Sequence, residues 1–163
     1  MKITLLCVGK TKERYWEEAS AEYGKRLSRY CTLNIVQVQD EPTPENASMQ
    51  QERLIRQKEG QRILSFLDKH AGNGSYVCAL AIRGRKYDSP QLASWLQDRM
   101  NSGAGHIIFV IGGSLGLSDE VLMRADGQIS FSDLTFPHQL MRVILLEQIY
   151  RCFRILHNEP YHK

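Results

Sequence analysis

Four strand-length apolar runs recur along the chain, at residues 3–8, 33–38, 76–82 and 107–111, each bounded by Gly, Pro or charge and separated from the next by a helical pattern. In residues 14–30, Trp16, Ala19, Tyr23, Leu27 and Tyr30 fall at three- and four-residue steps, giving one apolar stripe with Glu, Lys and Arg opposite. Residues 47–68 set Leu54, Ile55, Ile63, Leu64 and Leu67 in a polar, Gln- and Arg-rich background. A third helix opens at Ser89-Pro90, with Ser as N-cap and Pro in the first turn; Leu92, Trp95, Leu96 and Met100 form its buried side, and Gly103 and Gly105 end it. This alternation predicts an α/β fold whose mostly parallel sheet is covered by helices on both faces.

With 163 residues, the chain suits one domain able to bury a core without disulfide or metal staples. Cys7, Cys31, Cys78 and Cys152 are too widely spaced for a C-x-x-C pair or a zinc site, so free thiols, no metal and a reducing cytoplasm are expected. The apolar start is too short for a signal peptide or a membrane span. A formal charge of +3 falls short of a dedicated nucleic-acid arm. Lys10, Lys12, Arg14, Lys25, Arg26 and Arg29 nevertheless crowd the first thirty positions, before an acidic connection carrying Asp40, Glu41 and Glu45. Such a basic face suits phosphate, and equally a solvated helix surface.

Ligands of doubly wound sheets bind beyond the carboxyl ends of the strands, which directs attention to three loops. Residues 112–120 begin with Gly112, Gly113 and Gly116 and lead from a buried strand into a helix. Backbone amides there can approach a ligand closely, although a plain tight turn uses glycine in the same way. The spacing is neither G-x-G-x-x-G nor a P-loop, which disfavours dinucleotide and nucleoside-triphosphate binding. Residues 83–86, Arg-Gly-Arg-Lys, form a cationic loop at the same predicted edge, suited to phosphate or simply solvated. Residues 129–138 run from a short apolar-polar alternation into a helix that Pro137 initiates.

That last helix, residues 137–156, is apolar in nearly every direction, so it must be buried. Its charges fall into two groups: His138 and Arg142 one turn apart, and Glu147, Arg151 and Arg154 roughly opposite. Glu147 and Arg151 read as an internal or intersubunit ion pair, whereas His138 and Arg142 can face a pocket, with a capping histidine as the plainer reading of His138. The terminal Tyr161 and His162 would ordinarily fray; folded over a site they offer a stacking face and a proton acceptor.

The segments Ile-Gly-Gly-Ser-Leu-Gly (111–116), Leu-Thr-Phe-Pro-His-Gln-Leu-Met-Arg (134–142), Glu-Gln-Ile-Tyr-Arg (147–151) and Pro-Tyr-His (160–162) together resemble the RlmH family of rRNA methyltransferases, along essentially the whole chain. The resemblance implies a SPOUT-type fold with a C-terminal deep trefoil knot and a cytoplasmic homodimer. It also implies methyl transfer from S-adenosylmethionine to N3 of a pseudouridine in a 23S rRNA hairpin loop of the ribosome. Periodicity alone does not reveal the knot, since chains rarely thread their own loops. Carried onto this chain, the family pattern assigns the cofactor to Leu80, Gly112, Ile129, Ser130, Phe131, Ser132, Asp133 and Leu134.

Methylation at N3 requires in-line placement and loss of the N3 proton. Arg142 is the expected stabiliser of the developing anionic ring, His138 the residue that orients the pocket, and Tyr161 or His162 the aid to stacking and deprotonation. Other readings are a SPOUT methyltransferase acting on tRNA or another rRNA base, and a non-catalytic ribosome-associated RNA-binding protein that takes no S-adenosylmethionine.

Overall fold

The computed structural model describes residues 1–161. In chain order the elements are β1 (Lys2–Val8), α1 (Arg14–Leu27), β2 (Thr32–Val38), α2 (Met49–His70), β3 (Ser75–Lys86), α3 (Ser89–Asn101), β4 (His106–Ile111), α4 (Asp119–Arg124), β5 (Gly127–Ser130) and α5 (His138–Leu156). Among the described residues the strands form one five-stranded parallel sheet in the order β2-β1-β4-β3-β5.

The apolar runs explain both the strands and their central position. In β1, Ile3, Leu5 and Cys7 enter one core cluster while Leu6 and Val8 enter the other. In β4, Ile107, Phe109 and Ile111 divide in the same way from Ile108 and Val110. Successive side chains of a strand point to opposite faces, so an unbroken apolar run needs cover on both. Leu27 of α1, Leu92 and Leu96 of α3, and Leu145, Leu146 and Ile149 of α5 supply it on one side. Ile63 and Leu67 of α2 and Val121 of α4 supply it on the other. All four cysteines are buried free thiols, and burial pushes the Cys7 and Cys31 thiols up to about 11. Among the described residues no helix is long and apolar enough to cross a membrane.

Three local expectations are corrected. The N-cap of α3 is Asp88, not Ser89: its carboxylate accepts from the Gln91 N–H at 2.7 Å, and the Gln91 side chain accepts from the Asp88 N–H at 3.0 Å. This reciprocal box satisfies two otherwise orphaned donors, which a lone Ser89 cap cannot do. Helix α1 ends at Leu27 instead of Tyr30: after the last helical bond, from the Ser28 N–H to the Gly24 carbonyl, the Tyr30 and Cys31 N–H groups both turn back to the Leu27 carbonyl, at 2.9 and 3.0 Å, and the chain enters β2.

The largest difference lies at residues 83–86, which are strand and not loop. β3 runs on past its pairing with β4, which stops at Ala79↔Val110, and Arg85 and Lys86 pair with Ile129 and Ser130 of β5. The register shifts between Leu80 and Arg85, and Gly84 sits at the bulge. A Cβ on Gly84 would lie 2.5 Å from the Ile129 carbonyl carbon and 2.7 Å from its nitrogen, so the two backbones meet only because position 84 has no side chain.

Gly84→Ala must therefore push β5 away from β3. A loss of about 1–3 kcal/mol in unfolding free energy is expected in urea titration, with faster amide exchange at Ile129. Wild-type values in both would contradict the close approach.

Candidate functional site

The carboxyl ends of β3, β4 and β5 open onto a cleft of about 620 Å³, a volume suited to a cofactor-sized ligand. Its walls are the part of β3 just beyond its pairing with β4 (Leu80, Ala81, Ile82), the turn after β4 (residues 111–116) and the segment from Ile129 to Met141. Two of the three loops picked out by position in the sequence, residues 112–120 and 129–138, thus meet at one cavity, whereas residues 83–86 do not line it and the preceding residues 80–82 of β3 do.

The glycine turn is both tight and ligand-facing. A Cβ on Gly112 would lie 2.7 Å from the Gly116 carbonyl carbon, Gly116 has φ +82°, and its N–H donates to the Gly113 carbonyl at 3.1 Å. Glycine's freedom closes the turn, and the missing side chains leave main chain as the cleft wall. Ser118 then caps α4 through the Val121 N–H at 3.5 Å. Behind the turn lies α2: a methyl on Gly60 would collide with the Ser118 side chain, and Glu59 is only 4% exposed. Glu59 Oε1 accepts the Glu41 backbone N–H at 2.9 Å. Burial first, and the nearby Asp40, raise its carboxyl above the ordinary value against the Glu41 N–H and Arg62. Glu59 escaped the sequence reading, although Ile55, Glu59, Ile63 and Leu67 share one four-residue stripe that marks it as inward-facing.

Of the cofactor residues expected from sequence, Leu80, Gly112, Ile129, Ser130, Phe131, Ser132 and Leu134 line the cleft. Asp133 does not; it is exposed, with its carboxylate paired to Lys86. The loop braces itself: the Ser130 hydroxyl donates to the Ser132 carbonyl at 3.0 Å, and the Leu134 N–H donates to Ser132 Oγ at 3.0 Å.

His138 also lines the cleft, and among the described residues it is the one titratable side chain there. Burial, then the Arg142 charge, hold its ring below the usual value, with Lys12 adding to this and Asp40 and Glu13 opposing it. Arg142 is 2% exposed and turned away from the cleft. Its Nη2 donates to the carbonyls of Val8 and Gly9, both at 2.8 Å, and Nη1 donates to Thr11 Oγ1 at 2.8 Å. Its hydrogen-bonding capacity thus goes to the turn after β1.

The tail lies elsewhere. Tyr161 packs edge-on to Tyr150 with centroids 5.1 Å apart, has the Arg151 guanidinium 4.8 Å over its ring, and donates to Glu147 Oε1 at 3.3 Å. The Glu147–Arg151 pair is internal, at 2.6 Å. Glu159 pairs with Arg154 and accepts the Tyr30 hydroxyl at 2.6 Å. Tyr161 is therefore held on the second half of α5, away from His138, and the structure does not bring it to the cleft of its own chain. His162 lies outside the described residues.

Comparison with known proteins fits this geometry. A family model described as "Predicted SPOUT methyltransferase" matches residues 1–162. Proteins named ribosomal RNA large subunit methyltransferase H are similar over the full length of both chains: 57% identical in Bifidobacterium adolescentis, 56% in Clostridium novyi and 52% in Clostridium acetobutylicum. A solved structure of a probable methylase family protein from Haemophilus influenzae shares the fold. Its TM-score is 0.57 at 13% identity, over 99% of this chain and 70% of that one.

The environment of His138 has a thermodynamic consequence. A folded value below the unfolded 6.5 means that the unfolded chain takes the proton first, so stability falls as pH drops through that value. His138→Gln removes this contribution, whereas His106, also lowered by burial, acts equally in both proteins. Between about pH 7.5 and 5.5, wild type is expected to lose more thermal stability than His138→Gln. Parallel melting curves for the two proteins would refute it.

Proposed function

This chain belongs to the SPOUT methyltransferase family, and on that premise we propose that it methylates N3 of a pseudouridine in a hairpin loop of 23S rRNA, using S-adenosylmethionine, on assembled ribosomes in the cytoplasm. The observation that carries the reading is the cleft of about 620 Å³ bounded by main chain of the glycine turn and by the loop after β5. Full-length relatives named as large-subunit rRNA methyltransferases supply the substrate class.

The residues present fit the cofactor. Backbone of the 112–116 turn offers donors and acceptors to a polar purine edge, while Leu80, Ile129 and Leu134 offer apolar cover. When bound there, S-adenosylmethionine supplies an electrophilic methyl group on a positively charged sulfur. The protein's own part is to hold the target ring in line with that methyl and to receive the N3 proton. His138, at the cleft and held toward its neutral form, orients the ring by hydrogen bonding. Arg142 acts from behind: by tying Val8, Gly9 and Thr11 to α5 it fixes the turn after β1 against the helix that carries His138, and it adds a buried positive charge that favours an anionic ring.

Tyr161 and His162 enter this scheme through a homodimer. Leu140, Val143 and Ile144 on α5 are only half-buried in one chain, an apolar surface that a second copy would cover. In that arrangement the tail of one copy serves the cleft of the other, providing a stacking face and a proton acceptor. The trefoil knot belongs to the same proposal. It is supported by β5 lying against β3 at Gly84 and by α5, which follows β5, packing with α1 and α3 on the face opposite α4.

Labelled methyl transfer to ribosomes lacking the modification, with mass spectrometry of the rRNA, tests the function. Label at N3 of a 23S rRNA pseudouridine is expected, and label confined to tRNA or another base would overturn the substrate. Arg142→Ala should lower kcat by about two orders of magnitude and also reduce stability, because it orphans two buried carbonyls. Wild-type turnover in the folded variant would remove Arg142 from the mechanism.

A further inference from the structure

We propose that Glu59 is a positioning residue for cofactor binding: its buried carboxyl clamps the loop after β2 to the glycine turn, so that the two form one rigid wall of the cleft. The proposal rests on the cleft being the cofactor site and deepens that reading.

Several observations converge on Glu59. It is only 4% exposed, yet it belongs to a residue type that is almost never fully buried unless it is paired. Oε1 is engaged by the Glu41 N–H at 2.9 Å, which fixes the start of the loop that connects β2 to α2. Oε2 has no hydrogen-bond partner among the described residues and stands against Gly113: a Cβ there would lie 2.8 Å from it. Gly113 lines the cleft on its other side. One carboxyl therefore touches two loops, and the second is the wall on which the cofactor would rest.

The surroundings hold the clamp in place. Gly60, the next residue, lets α2 press against Ser118 at the far end of the glycine turn. Glu41 is anchored in turn by Arg62, which also donates to the Gln39 carbonyl at 2.9 Å. Thr43, further along the same loop, reaches Ser114 of the glycine turn at 3.3 Å between hydroxyl oxygens. Glu59 does not line the cleft, so it acts through Gly113 rather than on a ligand.

The test uses the full chain with Glu59→Met, which keeps the volume but offers no acceptor to Glu41, and Glu59→Gln, which keeps both volume and acceptor. Hydrogen exchange without ligand should accelerate in Glu59→Met at Glu41 and across residues 112–116, while Ile63 of α2 stays protected; Glu59→Gln should resemble wild type. In equilibrium dialysis, Glu59→Met should bind S-adenosylmethionine about tenfold or more weakly, with Glu59→Gln within about threefold of wild type. Methyl transfer should show the loss in KM and little change in kcat. Unaltered exchange at residues 112–116 in Glu59→Met, or a Glu59→Gln variant as impaired as Glu59→Met, would overturn the clamp. Failure of the wild-type protein to bind S-adenosylmethionine would instead overturn the cofactor reading, leaving the exchange result to judge the clamp alone.

Discussion

Everything in this molecule follows from two strands, β1 and β4, that are apolar on both faces. A strand of that kind cannot lie at a wet surface, so it must sit mid-sheet with helices above and below. That leaves the ends of the strands as the region where polar backbone and side chains can meet a ligand, and the parallel arrangement sends the three relevant connections to the same end. The cleft is thus a by-product of how the core is buried. Its walls are the points at which buried strands are released into loops.

Two ionisable side chains are buried close to that end, and each is spent chiefly on main chain. Arg142 serves the carbonyls of Val8 and Gly9, and Glu59 serves the Glu41 N–H. Burying charge is expensive, and part of the cost remains visible in Arg142 Nε and Glu59 Oε2, which lack partners among the described residues. The return is geometric: loops that would otherwise move are fixed to helices that cannot. This explains how a cleft lined mainly by glycine, serine and aliphatic residues can keep its shape.

The period-2 and period-3.6 patterns were enough to read four of the five strands, the long helices and the covered parallel sheet. Two of the loops that line the cleft, after β4 and after β5, followed from strand ends alone. What the patterns left open were matters of partner choice. Nothing in the order Asp88-Ser89-Pro90 says which residue caps α3 until Gln91 is seen to answer Asp88. Residues 83–86 read as a charged loop because the strand that pairs with them, β5, is only four residues long. Arg142 and His138 share a helix side, yet the long guanidinium reaches the turn after β1 while the short imidazole stays at the cleft. Tyr161 was visible as a stacking residue, but its docking on Glu147 and Arg151 depends on tertiary contacts that no local pattern encodes.

The length of β3 bears on how such a protein evolves. Beyond Ala79 the strand has β5 on one side and no partner strand on the other, where Ala81 and Ile82 border the cleft. A ligand at that border meets peptide groups, which every residue except proline carries in the same form. Side chains along this stretch are then free to diverge between lineages without altering what the ligand contacts. Selection should act there on the absence of a side chain at Gly84 and on the exclusion of proline, and far less on charge or size.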